Sequence, residues 1–170
     1  MEQRPFEIVA YQDRHADDFA RLNREWLDSF GLYEEPDGKH LYSPREYILD
    51  PGGEIFIAEE DGCVVGTCAL VPVSDHVFEV AKLAVAHEAR GQGLGRRLAE
   101  LALNRARERG ATRVVLLSSS KLGPALKLYE SLGFEHRPLP GHQPYETADV
   151  YMELEMSSVP SDVPMASQNT

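Results

Sequence analysis

The spacing of hydrophobic residues changes along the chain, and each change predicts a type of element. Two β-rich runs, residues 54–60 and 63–73, flank Asp61-Gly62 and predict a hairpin with a tight turn. Apolar residues recur at helical spacing over residues 17–30, 94–109 and 123–132. A capping box at Ser43-Pro44-Arg45-Glu46 predicts a short helix ending near Leu49, whereas residues 31–40 have the composition of a turn. Four further strands are predicted over residues 6–11, 77–85, 113–117 and 149–156, with one more between the last helix and the last strand.

The order of these elements predicts one domain of the α/β (α+β) class. Strands 54–60, 63–73 and 77–85 follow one another through short turns, which indicates a mixed and mostly antiparallel sheet of about six or seven strands. About four helices flank it. We assign this domain to residues 1–156 and expect residues 157–170, which are rich in Ser and Pro, to be a flexible tail.

The composition is that of a globular protein of 170 residues, with 42% hydrophobic and 26% charged residues. No apolar run approaches the ~20 residues that a membrane span requires, and the N-terminus lacks the pattern of a signal peptide. Cys63 and Cys68 lie five residues apart, so a strand would place them on opposite faces and a disulfide between them is not expected. The six histidines lack the spacing of a metal site. We therefore expect a cytoplasmic protein without a metal or a membrane partner.

The net charge is −11, which argues against nucleic-acid binding. Its distribution is uneven, because residues 90–113 contain seven arginines and two glutamates, a net charge of +5, and the remainder carries −16. This basic segment is either a solvated helix face or a local anion site.

Three glycines between a predicted strand and a predicted helix favour the anion site. Gly91, Gly93 and Gly95 would let the backbone turn tightly and bring N–H groups close to a ligand, at the positive end of the helix dipole. Such a loop suits a pyrophosphate, and Arg90 and Arg96 add charge. The Lys-Ser/Thr pair of a Walker loop is missing, and the third glycine comes one residue too early for a dinucleotide fingerprint.

The segment Arg90-Gly91-Gln92-Gly93-Leu94-Gly95 resembles the Arg/Gln-x-x-Gly-x-Gly/Ala loop of the GNAT superfamily of acyl-CoA-dependent N-acyltransferases. Residues 79–85 (EVAKLAV) and 124–134 (PALKLYESLGF) resemble the segments before and after that loop, and the likeness extends over roughly residues 6–156. The resemblance implies a sheet whose central strands splay apart to admit acetyl-CoA. It also implies direct attack of an amine on the thioester in a ternary complex.

The resemblance implies a set of cofactor-binding residues. The pyrophosphate would lie on the backbone of the loop, and the pantetheine arm would run beside the strand that precedes it. The full set is Leu83, Ala84, Val85, Arg90, Gly91, Gln92, Gly93, Leu94, Gly95, Arg96, Ser119, Ala125 and Leu128. Ser119 stands where related sequences often have Asn, and it could equally cap the next helix.

Two residues are candidates for catalysis. Glu79 would serve as general base, since regular alternation puts it on one strand face with Ala81, Leu83 and Val85, and leaves Lys82 on the other. Tyr129 would protonate the departing CoA thiolate. The alternatives are a solvated strand carboxylate and a core tyrosine.

Aromatic residues near the N-terminus are candidates for the acceptor site, namely Trp26, Phe30 and Tyr33. Acidic residues around them would suit a cationic amine, although Trp26 could simply belong to the core. The leading hypothesis is an N-acetyltransferase that modifies a primary amine of a small molecule or peptide. The alternative is a non-catalytic acyl-CoA-binding or sensing module, and either could be a monomer or a homodimer.

Overall fold

The computed structural model describes residues 6–141 and 145–156, and these form a seven-stranded sheet in the order β1-β2-β3-β4-β5-β7-β6. Every neighbouring pair is antiparallel except β4 and β5, which run parallel. The mixed, mostly antiparallel sheet expected from the sequence is thereby confirmed. The strands are β1 (Glu7–Ala10), β2 (Glu54–Glu60), β3 (Cys63–Ser74), β4 (Val77–Val85), β5 (Arg113–Ser118), β6 (Glu135–Arg137) and β7 (Val150–Glu155).

Four α-helices accompany the sheet in the described part of the chain, and two of them lie on opposite faces. Asn23 of the first helix donates to Thr67 of β3, whereas a side chain at the neighbouring Gly66 would meet Leu94 and Leu98 of the third. Because successive strand residues point to opposite faces, α1 and α3 sandwich the sheet. The helices are α1 (Ala16–Ser29), α2 (Glu35–Tyr42), α3 (Leu94–Glu108) and α4 (Gly123–Ser131).

The segment between α1 and β2 differs from the sequence expectation. Residues 31–40, expected to be turns, contain the start of α2, whose first turn is closed by the Glu34 N–H donating to the Asp37 carboxylate at 2.9 Å. Leu41 anchors the helix in the core at 1% exposure. The expected helix after Ser43 is only a single π-helical turn, Arg45–Leu49. Local composition favoured a turn at Gly38, and burial of Leu41 outweighed it.

The hydrophobic core lies on both faces of the sheet, where side chains of the helices pack against those of the strands. The largest fully buried side chains include Phe19, Ile48, Leu70, Leu98 and Met152. Both cysteines are free, Cys63 exposed and Cys68 buried. Cys63 pairs with Glu60 and Cys68 with Phe56, so a bulge in β3 puts both on one face and corrects the opposite faces expected for them. Within residues 6–141 and 145–156, no helix is long and apolar enough to cross a membrane. The expected tail, residues 157–170, lies outside the described residues.

Candidate active site

The two parallel strands at the centre of the sheet separate along their length. β4 pairs with β5 only from Val77 to Glu79, opposite Arg113 to Val115. Beyond that point β4 continues to Val85 and stays paired with β3, while β5 stays paired with β7. The splay expected for the central strands is therefore present. Among the residues that the structure describes, none pairs as a strand with the edge of β4 beyond Glu79 on the β5 side.

A β-bulge at Lys82 changes which side chains of β4 share a face. Ala81 lies opposite Ala69 but Ala84 lies opposite Thr67, so β4 carries one extra residue, and Lys82 has a φ of 54°. This left-handed conformation costs an L-residue roughly 1–2 kcal/mol. The extra residue reverses the alternation that the sequence suggested.

The reversal corrects two expectations about β4. Glu79 pairs with Val71, whereas Val85 pairs with Gly66, which occupies the opposite face of β3. Glu79 and Val85 therefore do not share a face. Lys82, expected on the far side of the strand, lies on the side of Glu79 and reaches α2. A bulge depends on pairing with a neighbouring strand, so a single alternating run could not predict it.

A cavity of about 130 Å³ opens in the splay between β4 and β5. It brings Glu79 and Tyr129, the two candidate catalytic residues, to one space. Of the other predicted site residues, it is lined by Trp26, Leu83, Ser119 and Ala125. Ala84, Val85 and Leu128 are outside this lining, as are the glycine loop, Phe30 and Tyr33.

Glu79 lies at the point where β4 and β5 part, and it is partly buried there. Burial raises the pKa of the Glu79 carboxyl above its ordinary value, and the positive charge of Lys82 opposes that shift. No other described residue forms a hydrogen bond or an ion pair with the Glu79 side chain. A carboxylate without a partner, with a raised pKa, has the properties of a proton acceptor.

Tyr129 enters the cavity from α4. Its side chain is 8% exposed and packs edge-on against Phe134, with ring centroids 5.9 Å apart. Burial, reinforced by Cys68, raises the pKa of Tyr129 above the ordinary value for a phenol. The hydroxyl therefore stays protonated at neutral pH, which is the form that a proton donor requires.

The glycine loop ends at the N-terminus of α3. Gly91 and Gly93 have φ values of 79° and 80°, a region that favours glycine. Gly95 differs, because it lies in the first turn of α3 without a positive φ, and a Cβ there would meet Leu128 and Val85 at an ordinary 3.8 Å. In the described structure no side chain caps α3, so its first N–H groups are free to bind a ligand.

The arginines expected at this loop have different surroundings. Arg90 donates from Nε to the Val85 carbonyl at 3.1 Å, and its guanidinium stands 4.8 Å from the centre of the Trp26 ring. Arg96 bonds to Glu100 and to Ser131. Arg90 thus lies between the loop and the aromatic residue predicted for the acceptor site.

The three aromatic candidates for acceptor binding are divided by the fold. Trp26 lines the cavity and contacts Phe30, with ring centroids 5.5 Å apart. Phe30 is not part of that lining, and the ring of Tyr33 is covered by the Arg24 guanidinium at 3.6 Å. Only Trp26 is therefore placed where a molecule in the cavity could touch it.

A network of polar residues also surrounds the site, and nothing in the sequence indicated that these residues would be in contact. Lys82 Nζ lies 2.6 Å from Asp37 Oδ1, with the two side chains 9% and 6% exposed. Asn23 donates to Thr67 Oγ1, which in turn donates to the Lys82 carbonyl. These residues come from α1, α2, β3 and β4, so no local motif could have revealed the network.

Glu34 connects the beginning of α2 to the segment before β7. Its carboxylate accepts the Glu146 N–H at 2.8 Å and the Thr147 N–H at 2.7 Å, together with the Thr147 hydroxyl. Partial burial acts to raise the pKa of Glu34, but these hydrogen bonds outweigh it and lower the pKa. Tyr145 and Thr147 both line the cavity, so the contact closes one side of it.

The comparisons with known proteins agree with this geometry. The family model described as Acetyltransferase (GNAT) family matches residues 19–134. An N-acetyltransferase of Escherichia coli K12, YjgM, is 37% identical over 138 residues, which cover 75% of this chain and 80% of that protein. The chain therefore belongs to the GNAT family of acetyltransferases, the enzyme class that the sequence predicted.

Solved structures share the fold at low sequence identity. A GNAT-family acetyltransferase from Staphylococcus aureus Mu50 superimposes with a TM-score of 0.83 at 17% identity, covering 90% of this chain and all (100%) of that one. The acetyltransferase yncA from Salmonella typhimurium, solved with its cofactor acetyl-CoA, gives 0.68 at 21% identity, covering 90% of this chain and 95% of that one. In the described part of this chain, no cluster of three or more His, Cys, Asp or Glu side chains could hold a metal ion.

Proposed function

We propose that the protein transfers the acetyl group of acetyl-CoA to a primary amine by direct attack in a ternary complex. The observation that carries this proposal is the cavity in the splay, which Glu79 and Tyr129 both line. A general base and a proton donor in the lining of one cavity suit a reaction that removes a proton from an amine and delivers one to a thiolate.

The cofactor would enter between β4 and β5. Its pyrophosphate would be held by the uncapped N–H groups that begin α3 and by Arg90 or Arg96. The pantetheine arm would lie along the free edge of β4 near Leu83–Val85, with Ser119, Ala125 and Leu128 on the other side. The relative solved with acetyl-CoA has the same fold, which supports this placement.

The chemistry requires two proton transfers. Free amines near pKa 10 are mostly protonated at neutral pH, so the attacking nitrogen has to lose a proton. Glu79 would take that proton, directly or through a water, as the C–N bond forms. A backbone N–H near Val85 would stabilise the oxyanion, a contribution worth about 3 kcal/mol at comparable sites. As the C–S bond breaks, Tyr129 would protonate the thiolate.

The acceptor would be an amine that approaches as a cation. Asp37 is neutralised by Lys82 at 2.6 Å, so Glu79 is the carboxylate in the lining that is left without a counter-ion among the described residues. An ammonium ion entering the cavity would find its complementary charge there. Trp26 would contact the acceptor on the α1 side of the cavity.

Release of free CoA thiol from acetyl-CoA tests this proposal. The purified chain is assayed with a panel of small amines and short peptides, beside the Tyr129→Phe variant. We expect at least one amine to stimulate thiol release, and Tyr129→Phe to lower kcat while acetyl-CoA still raises the melting temperature. A thermal shift with ATP or NAD but not with acetyl-CoA would overturn the assignment of the loop.

The same assay addresses the second candidate, a non-catalytic acyl-CoA-binding module. Such a module would bind acetyl-CoA, yet no amine would stimulate thiol release. The free Glu79 carboxylate beside Tyr129 favours the enzyme over the module, because binding alone requires neither group.

A further inference from the structure

A buried ion pair forms part of the wall of the cavity. Lys82 Nζ and Asp37 Oδ1 are 2.6 Å apart, and both side chains are more than nine-tenths buried. Burying two charges is costly, and replacing such a pair with apolar residues is often neutral or stabilising. The chain nevertheless places this pair beside the general base proposed above.

The backbone of β4 is distorted in a way that brings Lys82 to this position. In a regular strand, Glu79 and Lys82 would point to opposite faces, because their spacing is odd. The bulge at Lys82, with its φ of 54°, moves the ammonium to the Glu79 side. The Lys82 carbonyl is held in the bulge by the Thr67 hydroxyl at 2.8 Å. Strain of this kind persists where the surroundings impose it, often at functional sites.

Asp37 is itself held from two directions, and it also acts on a neighbouring tyrosine. Its Oδ1 accepts from Lys82 and its Oδ2 accepts the Glu34 N–H at 2.9 Å, while its charge helps to raise the pKa of Tyr145. The Lys82 ammonium also lies 5.7 Å from the centre of the Tyr145 ring. Both charges therefore keep polar or aromatic neighbours even when one partner of the pair is removed.

The groups that face Glu79 come from every element around it. Lys82 belongs to β4, Asp37 to α2, Tyr129 to α4 and Tyr151 to β7, while Tyr145 precedes β7. The tyrosines are neutral at physiological pH, because burial raises the pKa of each of them. The register also puts Arg113 of β5 and Glu153 of β7 on the face of Glu79. Lys82 is the charge that lowers the pKa of Glu79 against the effect of burial, and Asp37 is the anion paired with Lys82.

We propose that Lys82, anchored by Asp37, is a positioning residue that keeps the Glu79 carboxyl ionised and available as the base. The inference rests on the proposed function of Glu79. It deepens that function by assigning the charge balance of the site to a buried ion pair in the wall of the cavity. A purely structural pair would instead join α2 to the sheet and leave the titration of Glu79 unchanged.

Two substitutions that should shift the pKa of Glu79 in opposite directions test the proposal. Lys82→Met removes the attractive charge, so the pKa of Glu79 should rise by about one unit, the low end of the effect of a nearby opposite charge. Asp37→Asn removes the offsetting anion, so the pKa of Glu79 should fall. Lys82→Arg keeps the charge and should restore the parent value. The double variant Lys82→Met/Asp37→Asn is the matched neutral control and should lie between the two single variants.

The titration is followed directly and through activity. Carbon-13 NMR of Glu side-chain carboxyls in the full chain reports the protonation of Glu79, and the signal is identified by its absence in Glu79→Gln. The acidic limb of the pH profile of kcat/KM reports the same group in the reaction. We expect both to move upward in Lys82→Met and downward in Asp37→Asn.

The two readouts separate failure of this inference from failure of the proposed function. If the NMR titration moves and the activity profile does not, Lys82 sets the charge of Glu79 but Glu79 is not the base. If neither moves, the inference is overturned. Should a single variant fail to fold, Tyr145→Phe provides the test, since it removes the hydroxyl that interacts with the Asp37 carboxylate and should raise the pKa of Glu79 slightly. An unchanged NMR titration in Tyr145→Phe would then count against the inference.

Discussion

The two sides of the splay are built in different ways. On the cofactor side, Gly91 and Gly93 shape a loop whose backbone N–H groups face outward at the start of α3. On the proposed acceptor side, Asp37 comes from α2 and both Lys82 and Glu79 come from β4, and these residues would act through their side chains. The first is encoded by consecutive residues, and the second exists only after the sheet and helices have assembled.

This difference predicts how each side responds to substitution. A backbone site tolerates most changes of side chain but fails when a residue cannot adopt the required φ. A site made of buried charges fails when a single side chain is altered, because the partner is left uncompensated. Substitutions in the loop should therefore change the KM for acetyl-CoA, whereas substitutions among the buried charges should change kcat or the KM for the amine.

Replacing the proposed base should produce the largest effect. Glu79→Gln keeps the shape of the side chain but removes its ability to accept a proton, so kcat should fall by about 10²–10⁴-fold. The KM for acetyl-CoA should change little, because the loop is untouched. Initial rates with both substrates varied provide the measurement, and a kcat within tenfold of the parent would exclude Glu79 as the base.

The stability of the same variant carries an independent prediction with a definite sign. Burial raises the pKa of Glu79, so the folded state loses stability as the pH rises above the ordinary carboxyl pKa, and the loss is complete once the pH exceeds the raised pKa. Glu79→Gln should therefore melt at a higher temperature than the parent at pH 8. The difference should shrink as the pH falls toward the ordinary carboxyl range. A lower melting temperature at pH 8 would instead assign Glu79 a stabilising contact.

The same division explains how far the sequence could predict the molecule. Period and turn chemistry identified the strands and helices α1, α3 and α4, and the motif of residues 90–95 carried the resemblance to the family, since all of these depend on residues close in the chain. The sequence also brought Glu79, Tyr129 and Trp26 forward, and the cavity includes all three. It missed α2, which depends on burial of Leu41. It also missed the bulge at Lys82, because a register shift is a property of two strands.

A substitution in the loop should have the next largest effect, and only on the cofactor. Gly93 has a φ of 80°, and a β-branched residue there should raise the KM for acetyl-CoA about tenfold, given a cost of 1–2 kcal/mol for the left-handed region. Gly93→Val is compared with Gly95→Ala, whose new methyl group meets its nearest neighbours at 3.8 Å. Equal effects of the two variants would contradict a conformational requirement at Gly93.

Breaking the contact between α2 and the segment before β7 should change acceptor binding moderately. Glu34→Ala removes the acceptor of three hydrogen bonds from Glu146 and Thr147. Because Tyr145 and Thr147 line the cavity, the KM for the amine should rise by roughly fivefold, equivalent to about 1 kcal/mol for hydrogen bonds of this kind. Glu35→Ala, at the exposed neighbouring position, is the matched control. A rise confined to the KM for acetyl-CoA would reverse the assignment of this wall to the acceptor.

The smallest expected effect concerns the arginines of the basic segment, residues 90–113. We expect their contribution to binding acetyl-CoA to depend on position and not only on charge. Arg90→Ala and Arg105→Ala each remove one positive charge, but Arg90 lies at the loop whereas Arg105 bonds to Glu54 and Glu108 at the far end of α3. An exposed charge contributes about 0.5–1 kcal/mol, so Arg90→Ala should raise the KM for acetyl-CoA by roughly two- to fivefold and weaken its dependence on salt. Arg105→Ala should leave both unchanged. If both variants raise the KM for acetyl-CoA equally, the net charge of the segment attracts the cofactor. If only Arg90→Ala raises it, the position of the arginine in the loop determines binding.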